Sequence, residues 1–368
     1  MKVMTVVGTR PEVIRLSRVI ARLDQSFSHV LVHTGQNWDY RLNGIFFDEM
    51  GIRVPDHVLE VDTSSLGAVL GDTLRKTEQV LLREKPDAFL VLGDTNSAIS
   101  AVMAKRMRIP VYHMEAGNRS FDENVPEETN RRLVDHVADF NLVYTEHARR
   151  NLLAEGLHPR RVMLTGSPMR EVLDHYRPRI NASDILGRLG LTRGGYFLVS
   201  AHREENVDAP GRLEALLDCL IAVRDEWREP LIVSTHPRTR LRLEALKSGI
   251  DLGGIVFSEP FGFLDYNQLQ INAHCVLSDS GTIAEESSML QFPAVTLRSS
   301  IERPEALDHG SILMADLGRD RVIACIKAAC AEPAASLPLE YQVTDCSLRV
   351  RNFILSTANE HRVWAGLR

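Results

Sequence analysis

Short, uninterrupted apolar runs recur along this 368-residue chain, each stopped by Gly, Asp, Thr or Pro and each followed by a stretch with helical spacing. A strand that is apolar on both sides must be covered on both faces, so the pattern predicts parallel sheets with helices above and below. In the first half the strand-like runs fall at 2–7, 29–33, 88–92, 111–114, 140–144 and 161–164, with helical patterns at 12–23, 66–83 and 127–137. After Gly166-Ser167-Pro168 the pattern restarts, with runs at 196–200, 231–235, 254–257, 275–277 and 294–297. The expectation is α/β, with two doubly wound, Rossmann-like domains facing a cleft. The first covers 1–170, completed by a C-terminal helix at 347–368, and the second covers 171–346.

Charge and composition narrow the partners. With 43 Lys+Arg against 49 Asp+Glu the net charge is -6, which gives no global pull toward nucleic acid or an anionic membrane surface. No segment reaches the roughly 18 uninterrupted apolar residues of a spanning helix, and the apolar run at 3–7 is too short for a signal peptide. The five cysteines are odd in number, lack C-x-x-C spacing and all lie in the second half. This reads as reduced thiols in a cytoplasmic protein.

In open parallel sheets ligands sit outside the carboxyl ends of the strands, so the residues that follow each run carry the chemistry. After the first run comes Gly8-Thr9-Arg10-Pro11-Glu12, a strand-to-helix turn with a guanidinium beside a helix N-terminus, suited to an anion. Gly93-Asp94-Thr95 and Met114-Glu115-Ala116-Gly117 follow two later runs. Asp94 and Glu115 therefore face one edge, where two close acids repel and one is driven toward proton transfer. Pro126-Glu127-Glu128-Thr129-Asn130-Arg131-Arg132 opens a helix. Its i,i+4 pairs are worth only about 0.2–0.5 kcal/mol each as surface pairs, but its first-turn carboxylates can also point inward.

In the second half, Ala201-His202-Arg203 follows a strand with an acid–base group and an anion clamp, and His236 stands at a later strand end. Ser278-Asp279-Ser280-Gly281-Thr282 opens a helix whose N–H groups can cradle phosphate, with Glu286 placed for ribose hydroxyls and Arg303 nearby. There is no Walker motif, G-x-G-x-x-G, H-E-x-x-H or paired D-x-D. The motifs imply nucleotide binding without a cofactor and without a metal.

Taken in order, Gly8-Thr9-Arg10-Pro11-Glu12, Gly93-Asp94-Thr95, Glu115-Ala116-Gly117, Pro126-Glu127-Glu128-Thr129-Asn130-Arg131, His202-Arg203, Asp279-Ser280-Gly281 and Glu302-Arg303-Pro304-Glu305 resemble the non-hydrolysing UDP-N-acetylglucosamine 2-epimerase family. The resemblance implies a glycosyltransferase-B arrangement, a homodimer, and a UDP-sugar as the only partner. The first domain would hold the sugar and the acid–base groups, and the second the UDP. The chain most resembles the UDP-N-acetyl-L-fucosamine synthase branch, which inverts C2 of UDP-2-acetamido-2,6-dideoxy-L-talose for O-antigen and capsule sugars. That rests on the segments 33–40, 114–122 and 200–208, with Gln36-Asn37 and Asn118 where the N-acetylglucosamine enzymes carry Gln-His and Leu, and Arg15 where they carry Lys. The resemblance puts acid–base roles on Asp94, Glu115, Glu127 and His202. Diphosphate and sugar contacts fall on Arg10, Arg15, Arg131, Arg203, His236, Ser280, Gly281 and Arg303, with the ribose on Glu286 and uracil near Tyr266. The alternatives are a UDP-N-acetylglucosamine 2-epimerase, a related UDP-L-sugar 2-epimerase, or, from another reaction class, a glycosyltransferase of the same shape.

Overall fold

The computed structural model describes residues 1–35, 45–201, 203, 206, 209, 211–235, 240, 242–243, 251–331 and 336–367. The chain divides into two compact units, Met1–His175 with Leu339–Arg368, and Tyr176–Pro338.

The first unit carries seven strands among its described residues: β1 (Lys2–Val7), β2 (Ser28–His33), β3 (His57–Val58), β4 (Ala88–Leu92), β5 (Val111–Met114), β6 (Phe140–Val143) and β7 (Val162–Leu164). They pair in parallel in the order β3-β2-β1-β4-β5-β6-β7. The order reverses at β1, between β2 and β4, which is where a doubly wound sheet opens a crevice at its carboxyl edge. One face of the sheet buries Met4, Val6, Val30, Val32, Phe89 and Val91 against Ala98, Ala101, Ala104 and Val134. Helix ends follow local rules. Ser65 caps the helix Leu66–Glu84 by accepting from Ala68 N at 3.1 Å, and the helix Arg10–Ser26 takes Pro11 in its first turn. The late helix Cys346–Thr357 belongs to this unit. Thr357 hydrogen-bonds Tyr112 at 2.7 Å, Phe353 sits edge-on to Phe140 at 5.3 Å, and Ser347 donates to Glu171.

The second unit carries β8 (Phe197–Ser200), β9 (Leu231–Ser234), β10 (Ile255–Ser258), β11 (Cys275–Ser278), β12 (Ala294–Thr296) and β13 (Leu313–Met314). These are again all parallel, in the order β10-β9-β8-β11-β12-β13. Its core joins Phe197, Val199, Leu217, Leu220, Val233, Leu277 and Val295. The crevice here lies between β8 and β11. β3 and β13, which the apolar runs do not predict, are two-residue edge strands, too short to show a pattern.

Gly117, just after β5, has φ +78°, and a Cβ built there lies 2.4 Å from the Ala148 carbonyl oxygen. Gly117→Ala therefore combines a left-handed backbone with a clash against backbone that cannot turn aside. We expect a loss of about 2–4 kcal/mol, read from the urea midpoint. A midpoint shift below about 0.5 kcal/mol would contradict it.

Candidate active site

Three loops of the first unit meet beside Gly8. A Cβ there would lie 2.3 Å from Thr34 Oγ1 and 2.9 Å from Ser97 Cβ, so only glycine lets the ends of β1, β2 and β4 approach. Glu12 binds this junction together. Its Oε2 accepts from Gly8 N at 2.8 Å and Thr9 N at 2.6 Å, and its Oε1 accepts from Thr95 Oγ1 at 2.9 Å and from the Ser97 hydroxyl. Burial pushes the Glu12 carboxyl above its ordinary value, opposed by these hydrogen bonds. The carboxylate ties the Arg10 turn to the Asp94 turn. The Arg10 guanidinium stands 5.2 Å over the Phe46 ring.

Asp94 and Glu115 leave adjacent strands, β4 and β5. The spacing predicts two mutually repelling acids, but the structure places Arg131 between them. Its Nη2 bonds Asp94 Oδ2 and lies 3.4 Å from Glu115 Oε1, while its Nη1 donates to the Glu115 carbonyl at 2.5 Å. Arg15 grips the other Glu115 oxygen. Two guanidiniums thus compensate the buried Glu115 carboxylate, which burial without partners would make very costly. Glu115 also has φ +63°, a left-handed conformation unusual for a residue with a side chain, and such strain collects at functional sites.

The helix Pro126–Val137 docks on the Asp94 turn through Asn130, whose Nδ2 donates to Asp94 O at 3.0 Å and Asn96 Oδ1 at 3.1 Å. Glu127 lies three and four residues before Asn130 and Arg131, hence on their face of the helix, at its solvent-exposed first turn. Its neighbour Glu128 is the buried one, accepting from Ser120 N at 3.0 Å and Oγ at 3.1 Å.

Beneath these loops runs a buried polar network. His113 Nε2 bonds the Gly93 carbonyl at 2.7 Å, and its Nδ1 meets Asp135 Oδ1 at 2.9 Å. Asp135 also accepts from Gly117 N at 3.2 Å and pairs with Arg119 at 2.7 Å, and Arg119 forks onto Glu155 at 2.8 and 2.7 Å. Desolvation pushes the Asp135 carboxyl upward, but the His113 hydrogen bond and the charges of His113, Arg119 and Arg131 outweigh it and hold it below its ordinary value. His113 and Asp135 thereby join the Gly93-Asp94 turn to the Glu115-Ala116-Gly117 turn from below.

At the end of β2, burial pushes the His33 imidazole down to about 4, with its Nδ1 accepting from Gly35 N at 2.9 Å. The unfolded chain takes up this proton near pH 6.5 and the folded chain only near 4. Stability therefore falls as pH drops through that window. We expect His33 to account for about 2.5 kcal/mol of loss between pH 7.5 and 4.5, visible as a flatter urea-midpoint profile in His33→Asn. Parallel profiles for the two proteins would overturn this.

In the second unit, Arg203 N donates to Asp279 Oδ2 at 2.9 Å and Asn206 Nδ2 to the same oxygen at 3.2 Å, which pins the loop after β8 to the loop after β11. The Arg203 guanidinium lies 3.3 Å from Glu302 Oε1, which Arg298 also contacts at 3.1 Å, and its Nη2 would be 3.5 Å from a Cβ at Gly281. Ser280 N donates to Ser278 Oγ at 3.1 Å and Thr282 N to Ser280 Oγ at 3.3 Å, so hydroxyls engage two of the N–H groups of this phosphate-cradle segment. Arg303 is buried, bonding the Gly281 carbonyl at 2.9 Å and Glu285, and so holds the loop from inside. Gln270 Nε2 donates to Glu286 at 2.6 Å. Tyr266 is one helical turn before Gln270 on Phe263–Asn272 and so shares its face of that helix. His202 and His236 lie outside the described residues, as does the segment Gln36-Asn37-Trp38-Asp39-Tyr40.

A family model described as UDP-N-acetylglucosamine 2-epimerase matches residues 21–354. The chain belongs to this family. Among epimerases of known structure it is 46% identical to the UDP-N-acetylglucosamine 2-epimerase from Rickettsia bellii, over 98% of both chains at a TM-score of 0.92. It is 32% identical to the Methanocaldococcus jannaschii enzyme solved with UDP-GlcNAc and UDP, over 97% of this chain and 100% of that one, at a TM-score of 0.90. A Pseudomonas aeruginosa UDP-2,3-diacetamido-2,3-dideoxy-D-glucuronate 2-epimerase is 33% identical over 329 residues, covering 88% of this chain and 90% of the relative. The protein is therefore a UDP-sugar 2-epimerase, an isomerase with the two-unit parallel α/β fold of the glycosyltransferase-B class. No helix among its described residues is long and apolar enough to cross a membrane, and they include no His/Cys/Asp/Glu cluster able to hold a metal ion.

Sequence reasoning gave Glu12, His113 and Asp135 no role. Glu12 was findable, since Thr9-x-x-Glu12 is a capping box. The other two are 22 positions apart, one on β5 and one on the helix Pro126–Val137, and meet only when that helix packs on the sheet.

Proposed function

We propose that the chain inverts C2 of UDP-2-acetamido-2,6-dideoxy-L-talose to give UDP-N-acetyl-L-fucosamine. The C2 hydrogen of a 2-acetamido sugar is not next to a carbonyl, so its direct removal leaves an unstabilised carbanion. Elimination avoids this. A base takes the C2 proton as the C1–O bond to UDP breaks, leaving a 2-acetamidoglycal and UDP. UDP then rejoins C1 as an acid delivers a proton to C2 from the opposite face. The route needs acid–base groups around the sugar and cations on the departing diphosphate.

The observation that carries this reading is the cluster at the carboxyl edge of β4 and β5, where Asp94 and Glu115 share Arg131 and Glu115 is held in a left-handed backbone. In the reading, Asp94, Glu115, Glu127 and His202 supply the proton transfers. Arg10, Arg15, Arg131 and His236 serve the sugar and diphosphate, Arg203, Ser280, Gly281 and Arg303 build the diphosphate loop, and Glu286 and Tyr266 serve the ribose and uracil. The protein acts as a homodimer, checked by light scattering.

Asn118 supports the L-talose substrate. Its side chain is buried three residues from Glu115, and its Nδ2 has no hydrogen-bond partner among the described residues, a donor that the leucine of the N-acetylglucosamine enzymes would lack. The second reading, UDP-N-acetylglucosamine to UDP-N-acetylmannosamine, is favoured by the names of the Rickettsia and Methanocaldococcus relatives. Incubation with each UDP-sugar separately, followed by proton NMR, decides. The first reading predicts a C2-inverted product from the L-talose substrate, with turnover of UDP-N-acetylglucosamine at least about tenfold lower in kcat/KM. The reverse order establishes the second.

A further inference from the structure

Away from the carboxyl edge of the second sheet, at the start of β11, lies a constellation that the epimerase chemistry does not use. Cys275 opens β11 and is buried. Cys330, in the last turn of the helix Arg319–Ala331 that packs on β11, is exposed. The Cys330 thiol donates to the His274 carbonyl at 3.7 Å, which sets its sulfur against the backbone that leads into Cys275. His274 Nδ1 meets the Glu229 carboxylate at 2.9 and 3.0 Å. The ring is held by stacking on Phe197 at 4.9 Å and edge contact with Trp227 at 6.1 Å. A carboxylate thus orients the imidazole of the residue whose carbonyl holds an exposed thiol, and the next residue in the chain carries a second, buried thiol.

We propose that Cys330 is a redox modification site, at which the thiol is oxidised by a hydroperoxide and the product is resolved by Cys275 into a Cys275–Cys330 disulfide. His274 takes the Cys330 proton, and the thiolate attacks the outer peroxide oxygen. The O–O bond breaks, leaving Cys330 as sulfenic acid and releasing an alkoxide or hydroxide that collects the proton. The Cys275 sulfur then attacks the Cys330 sulfur and expels water. Two thiols lose two electrons, and the peroxide gains them. The charge environment fits this division of labour. The hydrogen bond from Cys275 and the His274 charge hold the Cys330 thiol down to about 7, whereas the same hydrogen bond and burial push Cys275 well up. An accessible thiolate attacks first, and a protected thiol follows only once a sulfenic acid stands beside it.

The test uses the full-length reduced protein treated with hydrogen peroxide, then alkylated and mapped by mass spectrometry. The expected result is joint loss of Cys275 and Cys330 to one linked peptide, reversed by dithiothreitol, with Cys219, Cys325 and Cys346 still alkylated. In Cys275→Ser the reaction stops at a Cys330 sulfenic acid that dimedone traps. Cys330→Ser, at an exposed position, folds and leaves Cys275 unoxidised. Iodoacetamide at pH 7 labels Cys330 about fivefold faster than the half-buried Cys325, with a midpoint near pH 7 that rises in His274→Asn toward the ordinary thiol value of about 8.5. The proposal is overturned if Cys330 labels no faster than Cys325, or if peroxide leaves Cys275 alkylatable while Cys330 is oxidised.

Discussion

Glu115→Gln lowers kcat by about 10²-fold or more, and Asp94→Asn does the same, with both variants folded. Each change keeps the shape of the side chain and removes its capacity to accept a proton as an anion. If these groups transfer protons, the loss falls mainly on kcat, because the neutral amides still occupy the same hydrogen-bonding positions in the ground state. The two substitutions differ in their structural consequences. Asp94 is partly exposed, and its replacement leaves Arg131 still held by the Glu115 carbonyl. Glu115 is buried between Arg15 and Arg131, so Glu115→Gln also leaves two guanidiniums under-compensated and destabilises the unit. The informative comparison is therefore kcat at a temperature where circular dichroism shows both variants native. Near wild-type kcat in either folded variant removes that carboxylate from the chemistry.

The second large effect is on stability. Asp135→Ala costs about 3–5 kcal/mol, because it strips the buried Arg119 guanidinium and the His113 ring of a shared anion and leaves Gly117 N without its acceptor. Guanidinium chloride titration reads it directly. A loss below about 1 kcal/mol would mean that the network carries little. The pH dependence has a fixed sign. The Asp135 carboxyl is held below its ordinary value in the folded protein, so its contribution is fully present above about pH 4 and is lost as pH falls through the depressed value. In the variant that acid-side loss is absent. Because Asp135 and His113 brace both acid-bearing turns, the variant also loses activity while remaining folded at low temperature.

Continuous apolar runs gave away the parallel sheets, because strands covered on both faces have no polar side to alternate. The same runs made Asp94 and Glu115 visible, since residues that follow parallel strands share one edge, and the structure does bring them together with Arg15 and Arg131. The charge balance of that edge was not legible. By spacing Arg131 is one member of an i,i+4 pair with Glu127, and the family resemblance gives it a diphosphate or sugar contact; only the docking of its helix turns the guanidinium between two acids. The His113–Asp135–Arg119 network was hidden for a related reason, since its members lie on a strand, a loop and a helix that meet only after folding. Arg303 shows the converse, a cation the sequence places near a phosphate and the structure buries against Glu285 and the Gly281 carbonyl. β3 and β13 escaped because two residues carry no period.

The central claim is that the bond between C1 and the diphosphate breaks and re-forms while C2 exchanges its hydrogen. It is tested most directly with UDP-sugar carrying oxygen-18 in the bridge between C1 and the β-phosphorus, turned over in deuterium oxide. Phosphorus and proton NMR of recovered material should show the label scrambled into the non-bridging β-phosphoryl positions, together with a C2-inverted product bearing solvent deuterium at C2. A C2-inverted product that keeps its original C2 hydrogen, with the label still wholly in the bridge, contradicts the account.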